Sequence, residues 1–190
     1  MLYPLKFKPR IKERIWGGSA ILNKRSKAAA RLDKSKPYGE SWDLSSVKGD
    51  ISVVANGFLK GNNLTEIIEV YMGDLVGEQH FERFGLEFPL LVKYLDCNDK
   101  LSVQVHPDDT LAEERHNSYG KTEAWYVADC KPGATIYLGF KDLNITREEY
   151  LAAVAESRLA ELLNRIEVKK GDVFYIPAGT VHALGAGIEV

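Results

Sequence analysis

The sequence predicts a mainly β protein with added helices, and three observations carry that reading. Runs of β-branched and aromatic residues recur along the chain: Ile51–Ala55, Pro89–Leu95, Leu101–His106, Glu123–Asp129, Ala134–Phe140, Ile166–Val168 and Asp172–Ile176. Asn98-Asp99, Gly120, Pro132-Gly133 and Lys170-Gly171 punctuate them as turns. Helical patterns do not alternate regularly with these runs, which disfavours a parallel βαβ sheet and favours an antiparallel barrel or sandwich carrying helices on one side.

The elements follow in order. Basic residues crowd Lys24–Lys36 around the small run Ala28-Ala29-Ala30, which reads as a solvated loop or short helix rather than a partner site. Asn63 and Glu66 have capping-box spacing, and Leu64, Ile67, Ile68, Tyr71 and Leu75 follow at helical steps. A short helix is expected after Pro107, with Asp108 or Asp109 as its cap. Thr146 and Glu149 form a second capping box, ahead of Tyr150, Leu151, Val154, Leu159, Leu162 and Leu163. The expected organisation is one domain over residues 1–190, with helical insertions near 63–84 and 146–165.

Composition narrows the function. Of 190 residues, 45% are hydrophobic and 27% charged, so a disordered chain is excluded. Lys+Arg 25 against Asp+Glu 27 leaves no basic excess for nucleic acid. Cys97 and Cys130 are too few for a four-thiolate zinc site and do not resemble a secreted disulfide framework. No charged-then-apolar leader and no apolar run near 18 residues stand in the sequence, so a soluble cytoplasmic protein without membrane contact is expected.

Strand alternation gathers the chemistry. In Leu101–His106, Ser102, Gln104 and His106 share one face, and Leu101, Val103 and Val105 are expected to pack on the other. The same rule puts Lys121, Glu123 and Trp125 together, and the segment Gly171–His182 supplies a strand, a Pro/Gly turn and a histidine. If these polar faces line one interior, Gln104, His106, Glu123 and His182 converge into a mixed N/O site for a divalent metal, with Zn²⁺ the leading ion. Gln104 either ligates or orients a ligand, because a neutral amide binds metal poorly. His80 and His116, in charged helical surroundings, are assigned to surface or hydrogen-bonding roles.

Gly171, Pro177, Gly179 and His182 match the fixed positions of the second cupin motif, with Ala186 where its closing Asn usually stands. The first cupin motif appears in altered form, as Gln104-Val105-His106 followed by the distant Glu123. The words Phe88–Lys93, Leu101–Asp109 and Gly120–Tyr126, with Trp16-Gly17-Gly18 and Gly39–Asp43, resemble type I mannose-6-phosphate isomerases, the shorter bacterial subfamily above all. The resemblance implies a cupin-type antiparallel jelly roll, incomplete at its C-terminus. It implies one Zn²⁺ per chain held by Gln104, His106, Glu123 and His182, and a sugar-phosphate pocket including Lys121, Ser102 and Trp16. It also implies interconversion of mannose 6-phosphate and fructose 6-phosphate through an enediol.

Lys121 either serves that pocket or pairs with a carboxylate. Glu189 stands near a family glutamate implicated in proton transfer, whereas the family's catalytic arginine falls past Val190 and neither Arg158 nor Arg165 inherits it. The rival readings are another metal-dependent cupin enzyme such as a dioxygenase, a non-catalytic sugar-phosphate-binding module, and an inactive fragment. An unpaired sheet edge left by missing strands is expected to favour self-association.

Overall fold

A computed structural model describes residues 2–190 and divides them into two compact units. One holds the chain up to Ile15 together with Ser19–Leu95; the other holds Trp16–Gly18 and Asp96–Val190.

The first unit contains most of β1 (Arg10–Gly18), α1 (Ala20–Lys24), β2 (Tyr38–Leu44), α2 (Leu64–Val76), α3 (Glu78–Phe84) and the start of β3 (Val92–Cys97). Strand β2 runs antiparallel to β3 with Glu40 opposite Leu95 and Trp42 opposite Lys93. Strands β1 and β2 lack apolar alternation because polar and charged side chains on them pair with one another. The Glu40 carboxylate accepts from Arg14 Nε at 2.7 Å and from Trp42 Nε1 at 2.6 Å. Ser41 and Arg25 both donate to Asp43 at 2.6 Å. Burial works against ionisation of Glu40, but the Trp42 and Arg14 hydrogen bonds and the Lys93 charge outweigh it and hold the carboxyl below its ordinary value. Beyond Lys24, the last residue of α1, the basic run forms a string of turns.

Helix α2 forms as its spacing predicts. Asn63 and Glu66 make the full capping box, and Leu64, Ile67 and Ile68 are buried. The helix is kinked at Met72, with φ 45°, and Gly77 separates it from α3. His80, expected in a surface or hydrogen-bonding role, is half-buried, its Nε2 without a hydrogen bond among the described residues, and packs tilted against Phe84 and Phe88 at 4.9 and 5.8 Å. Ile51–Ala55 forms no regular strand; Val53 bridges Asn63, and the fully buried Val54 bridges Phe7.

The second unit comprises α4 (Asp109–His116), β4 (Glu123–Tyr126), β5 (Asp129–Cys130), β6 (Thr135–Phe140), α5 (Arg147–Ala155), α6 (Leu159–Leu162), β7 (Leu163–Glu167), β8 (Val173–Ile176), β9 (His182–Leu184) and β10 (Ile188–Glu189). All its pairings are antiparallel: β6 lies between β7 and β9, β4 pairs with β8, and β10 lies between β5 and the end of β3. Val127, Ile136, Leu163, Ile176, Leu184 and Ile188 form its core.

The Thr146–Glu149 capping box starts α5 as expected. Its apolar stripe is not buried, however: Tyr150, Leu151 and Val154 are exposed, and α5 turns the small Ala153 inward instead. Ser157, with φ 57°, separates α5 from the short α6, and Leu163, in extended conformation, begins β7 rather than continuing a helix. Among the described residues no helix is long and apolar enough to cross a membrane.

Candidate metal centre

Three chain segments of the second unit meet through backbone hydrogen bonds before any side chain is considered. Strand β9 pairs with β6, Leu138 opposite His182, and on its other side His182 exchanges two hydrogen bonds with Gln104, at 2.9 and 3.0 Å. Directly opposed residues in an antiparallel pair project from the same face, so Gln104 and His182 share one.

The turn before β9 closes through Thr180 N to Pro177 O at 3.1 Å, with Gly179 at φ +82°, a conformation that suits glycine in the third position of such a turn. Gly179 N then donates to His106 O at 2.7 Å, and Ala178 N donates to Thr122 Oγ1 at 3.2 Å. One turn thereby fixes the backbones that carry His106 and Glu123.

The 107–119 excursion returns to its starting point. Lys121 N donates to Pro107 O at 3.0 Å, and Gly120 N to the Asp109 carboxylate at 2.9 Å. A Cβ at Gly120 would lie 2.4 Å from the Asp108 carbonyl carbon, so only glycine permits this closure. Asp108 caps α4 inside the loop, as its sequence position predicts.

On this frame His106, Glu123 and His182 present ligand atoms that all lie within 4.8 Å of one another. Nε2 of His106 is 3.5 Å from Glu123 Oε1, and Nε2 of His182 is 3.5 Å from Oε2. Ligand atoms around a first-row divalent cation stand roughly 3–3.5 Å apart, so these separations suit one ion.

His182 is 1% exposed. Its Nδ1 lies 2.7 Å from Thr180 O, and donation of the ring N–H there leaves a lone pair on Nε2. That buried Nε2 makes no hydrogen bond among the described residues. An acceptor left bare at this depth, facing a carboxylate and a second imidazole, is chemically suited to a metal. The donor set fits the ion that the sequence implies, and it lacks thiolates, which suits a catalytic site rather than a structural clamp.

Lys121 and Trp125 complete the surroundings. Lys121 Nζ lies 2.8 Å from Glu123 Oε1 and 3.1 Å from His106 Nε2, and Trp125 Nε1 donates to Glu123 Oε2 at 3.2 Å. Burial pushes Glu123 toward the neutral acid. The hydrogen bond and charge of Lys121, helped by the two imidazoles, overcome that push and hold the carboxyl below its ordinary value.

Residues 4–147 match the model of the phosphomannose isomerase type I catalytic domain. The chain belongs to the type I phosphomannose isomerase family. It is 43% identical over 97% of its length to mannose-6-phosphate isomerase ManA of Bacillus subtilis, and 40% identical over its whole length to a mannose-6-phosphate isomerase of Streptococcus mutans. It covers 55% and 57% of those proteins, so it spans about half the length of these relatives. A crystal structure of the Bacillus subtilis mannose 6-phosphate isomerase superposes with a TM-score of 0.81 at 37% identity, covering 98% of this chain and 56% of that one. The predicted mainly β, cupin-type fold with added helices is therefore the fold of this family.

Of the residues singled out in the sequence, the structure brings His106, Glu123, His182 and Lys121 into one cluster, with Gln104 across the strand from His182. Ser102 is exposed two residues before Gln104. Trp16 is half-buried on β1, where its carbonyl accepts from Asp99 N at 3.0 Å. Glu189 lies on β10 opposite Asp96 and Asp129. Glu189 is thus outside the group of facing ligand atoms.

One expectation is reversed. Val103 and Val105 are 38% and 58% exposed, whereas Gln104 and His106 point inward. The polar positions take the inner face because they converge on Glu123, which leaves the valines outside. Leu101–His106 also forms only the single bridge at Gln104 rather than a full strand. Sequence reasoning placed Trp125 beside Glu123 without giving it a role, and missed Thr122 and Thr180 altogether. Spacing of two along a strand signals the Trp125 contact; the two threonine contacts form across the fold and leave no local pattern.

Proposed function

We propose that this chain supplies the metal-binding catalytic portion of a mannose-6-phosphate isomerase, holding one Zn²⁺ through Gln104, His106, Glu123 and His182. The observation that carries the proposal is the buried, unpaired Nε2 of His182 facing Glu123 beside His106, in a chain of this family. The reaction moves a proton from C2 to C1 of the sugar phosphate through an enediol, while a second proton passes between O1 and O2. A divalent ion at this site supplies electrostatic stabilisation of the negative charge that develops on the sugar oxygens.

The chain's own groups do the rest. Lys121 is assigned to the phosphate: its side chain is 44% exposed, so the ammonium that rests on Glu123 Oε1 can turn outward to bind it, and the remote binding energy holds the sugar in register. Ser102 and Trp16 are assigned to the same sugar-phosphate pocket. His106 and His182 do not act as the base while their lone pairs face the ion; Glu189 is assigned to proton transfer.

Metal analysis after dialysis, with a coupled assay of fructose 6-phosphate formation, tests these roles. His182→Ala should emerge without metal and inactive. Lys121→Ala should keep its metal and show a raised KM for mannose 6-phosphate. Glu189→Gln should keep its metal and turn over more slowly. Full metal occupancy in His182→Ala would refute the ligand assignment.

A further inference from the structure

Trp125 touches two of the three side chains that face one another at the metal centre, and only 9% of it is exposed. Its position on β4, two residues after Glu123, turns both side chains to the same face. The indole Nε1–H donates to Glu123 Oε2, and the ring meets His182 edge-on, with centroids 5.4 Å apart and planes at 82°. Phenylalanine would fill most of this space. A buried indole N–H needs an acceptor, however, and the one it takes here is the ligand carboxylate itself.

The two oxygens of Glu123 are thereby made unequal. Oε2 is held by a donor that packing keeps in place, whereas Oε1 is held by the partly exposed ammonium of Lys121, which is free to swing away. We propose that Trp125 is a positioning residue of the metal centre: its N–H fixes Oε2 so that Glu123 offers Oε1 to the cation and ligates through that single oxygen, while its ring, packed perpendicular to the imidazole, sets the plane of His182. The proposal rests on the metal-centre reading and extends it to how the carboxylate binds.

The test compares wild type with Trp125→Phe, which keeps a ring against His182 and removes the N–H. Zinc affinity is read by competition with a chromophoric chelator, and coordination is read from the visible spectrum of cobalt(II)-loaded protein, whose intensity falls as coordination number rises. The variant should bind zinc about 10–100-fold more weakly, the range expected for losing a group that orients a ligand. Its cobalt spectrum should weaken as Glu123 becomes free to bind through both oxygens.

The wild-type protein supplies an independent measurement through the ¹⁵N-labelled indole resonance of Trp125, which should stay protected from exchange with zinc bound. Equal zinc affinity with an unchanged cobalt spectrum would overturn the proposal, as would a freely exchanging indole in the loaded protein. Wild type that binds no divalent ion would sink the metal-centre reading itself. Tight wild-type binding beside an unaltered variant would sink this inference alone.

Discussion

Replacing His182 by leucine separates two contributions that the structure places on one side chain. In the metal-free protein the imidazole makes one good hydrogen bond, Nδ1–H to Thr180 O at 2.7 Å, and leaves Nε2 buried without a partner. The bond contributes about 1 kcal/mol, while the unsatisfied nitrogen costs about 1–3 kcal/mol. Leucine loses both, and its apolar side chain packs against the Trp125 ring that now meets the imidazole. The two terms offset, so metal-free His182→Leu should have a stability within about 2 kcal/mol of wild type.

Added metal breaks the tie. An ion present at 100 times its dissociation constant stabilises the native state by about 2.7 kcal/mol. For a chain of this size about 2–4 °C accompanies each kcal/mol, so wild type should gain roughly 5–11 °C in melting temperature. The variant should gain almost nothing, because a bare lone pair at the centre of the donor set is gone. Calorimetric scans of both proteins, with and without zinc, give all four values. An equal zinc-induced rise in the variant would refute the ligand role. A metal-free variant destabilised by more than about 4 kcal/mol would refute the bookkeeping, since Nε2 would then be satisfied in the native state.

Two further outcomes follow from the same site. Glu123 has a folded-state pKa below its ordinary value of 4.5, so in the metal-free protein its stabilising contribution is complete above that value and is lost as pH falls through the lower folded one. In Lys121→Met burial acts with less opposition and the folded value moves back up, so acid titration followed by fluorescence should show a smaller loss, complete at higher pH, than in wild type. Gly120→Ala places a Cβ 2.4 Å from the Asp108 backbone, which the chain must move to accommodate. It should cost about 1–3 kcal/mol in urea unfolding and weaken metal binding together, because the same closure carries Lys121 and Glu123.

How far the fold and site were legible in the sequence depended on whether the signal was local. Helix caps are local, and the capping boxes Asn63–Glu66 and Thr146–Glu149 and the N-cap Asp108 all start helices where the sequence says. The β1 and β2 strands are held by pairs such as Arg14–Glu40, whose partners are 26 residues apart, so no window of apolar alternation reveals them. The helical stripe from Tyr150 onward failed for a related reason: period tells which residues share a face, not which face has a partner to bury against.

The same distinction explains the ligand segment. Alternation grouped Gln104 with His106 and Glu123 with Trp125, but it expected Val103 and Val105 to find apolar packing on the opposite face, where they are exposed instead. In a strand that lines a binding site the order inverts, because the interior holds the polar groups that meet one another. His182 shows why such an interior is tolerated: a buried lone pair costs stability only until something with empty orbitals or a positive charge arrives to share it. Lys121 already sits on Glu123 Oε1 and His106 Nε2, the two positions it can reach, and leaves Nε2 of His182 bare. An ammonium thus neutralises the outer half of the donor set while the inner half stays open, which is the arrangement expected of a site that must accept an ion without collapsing in its absence.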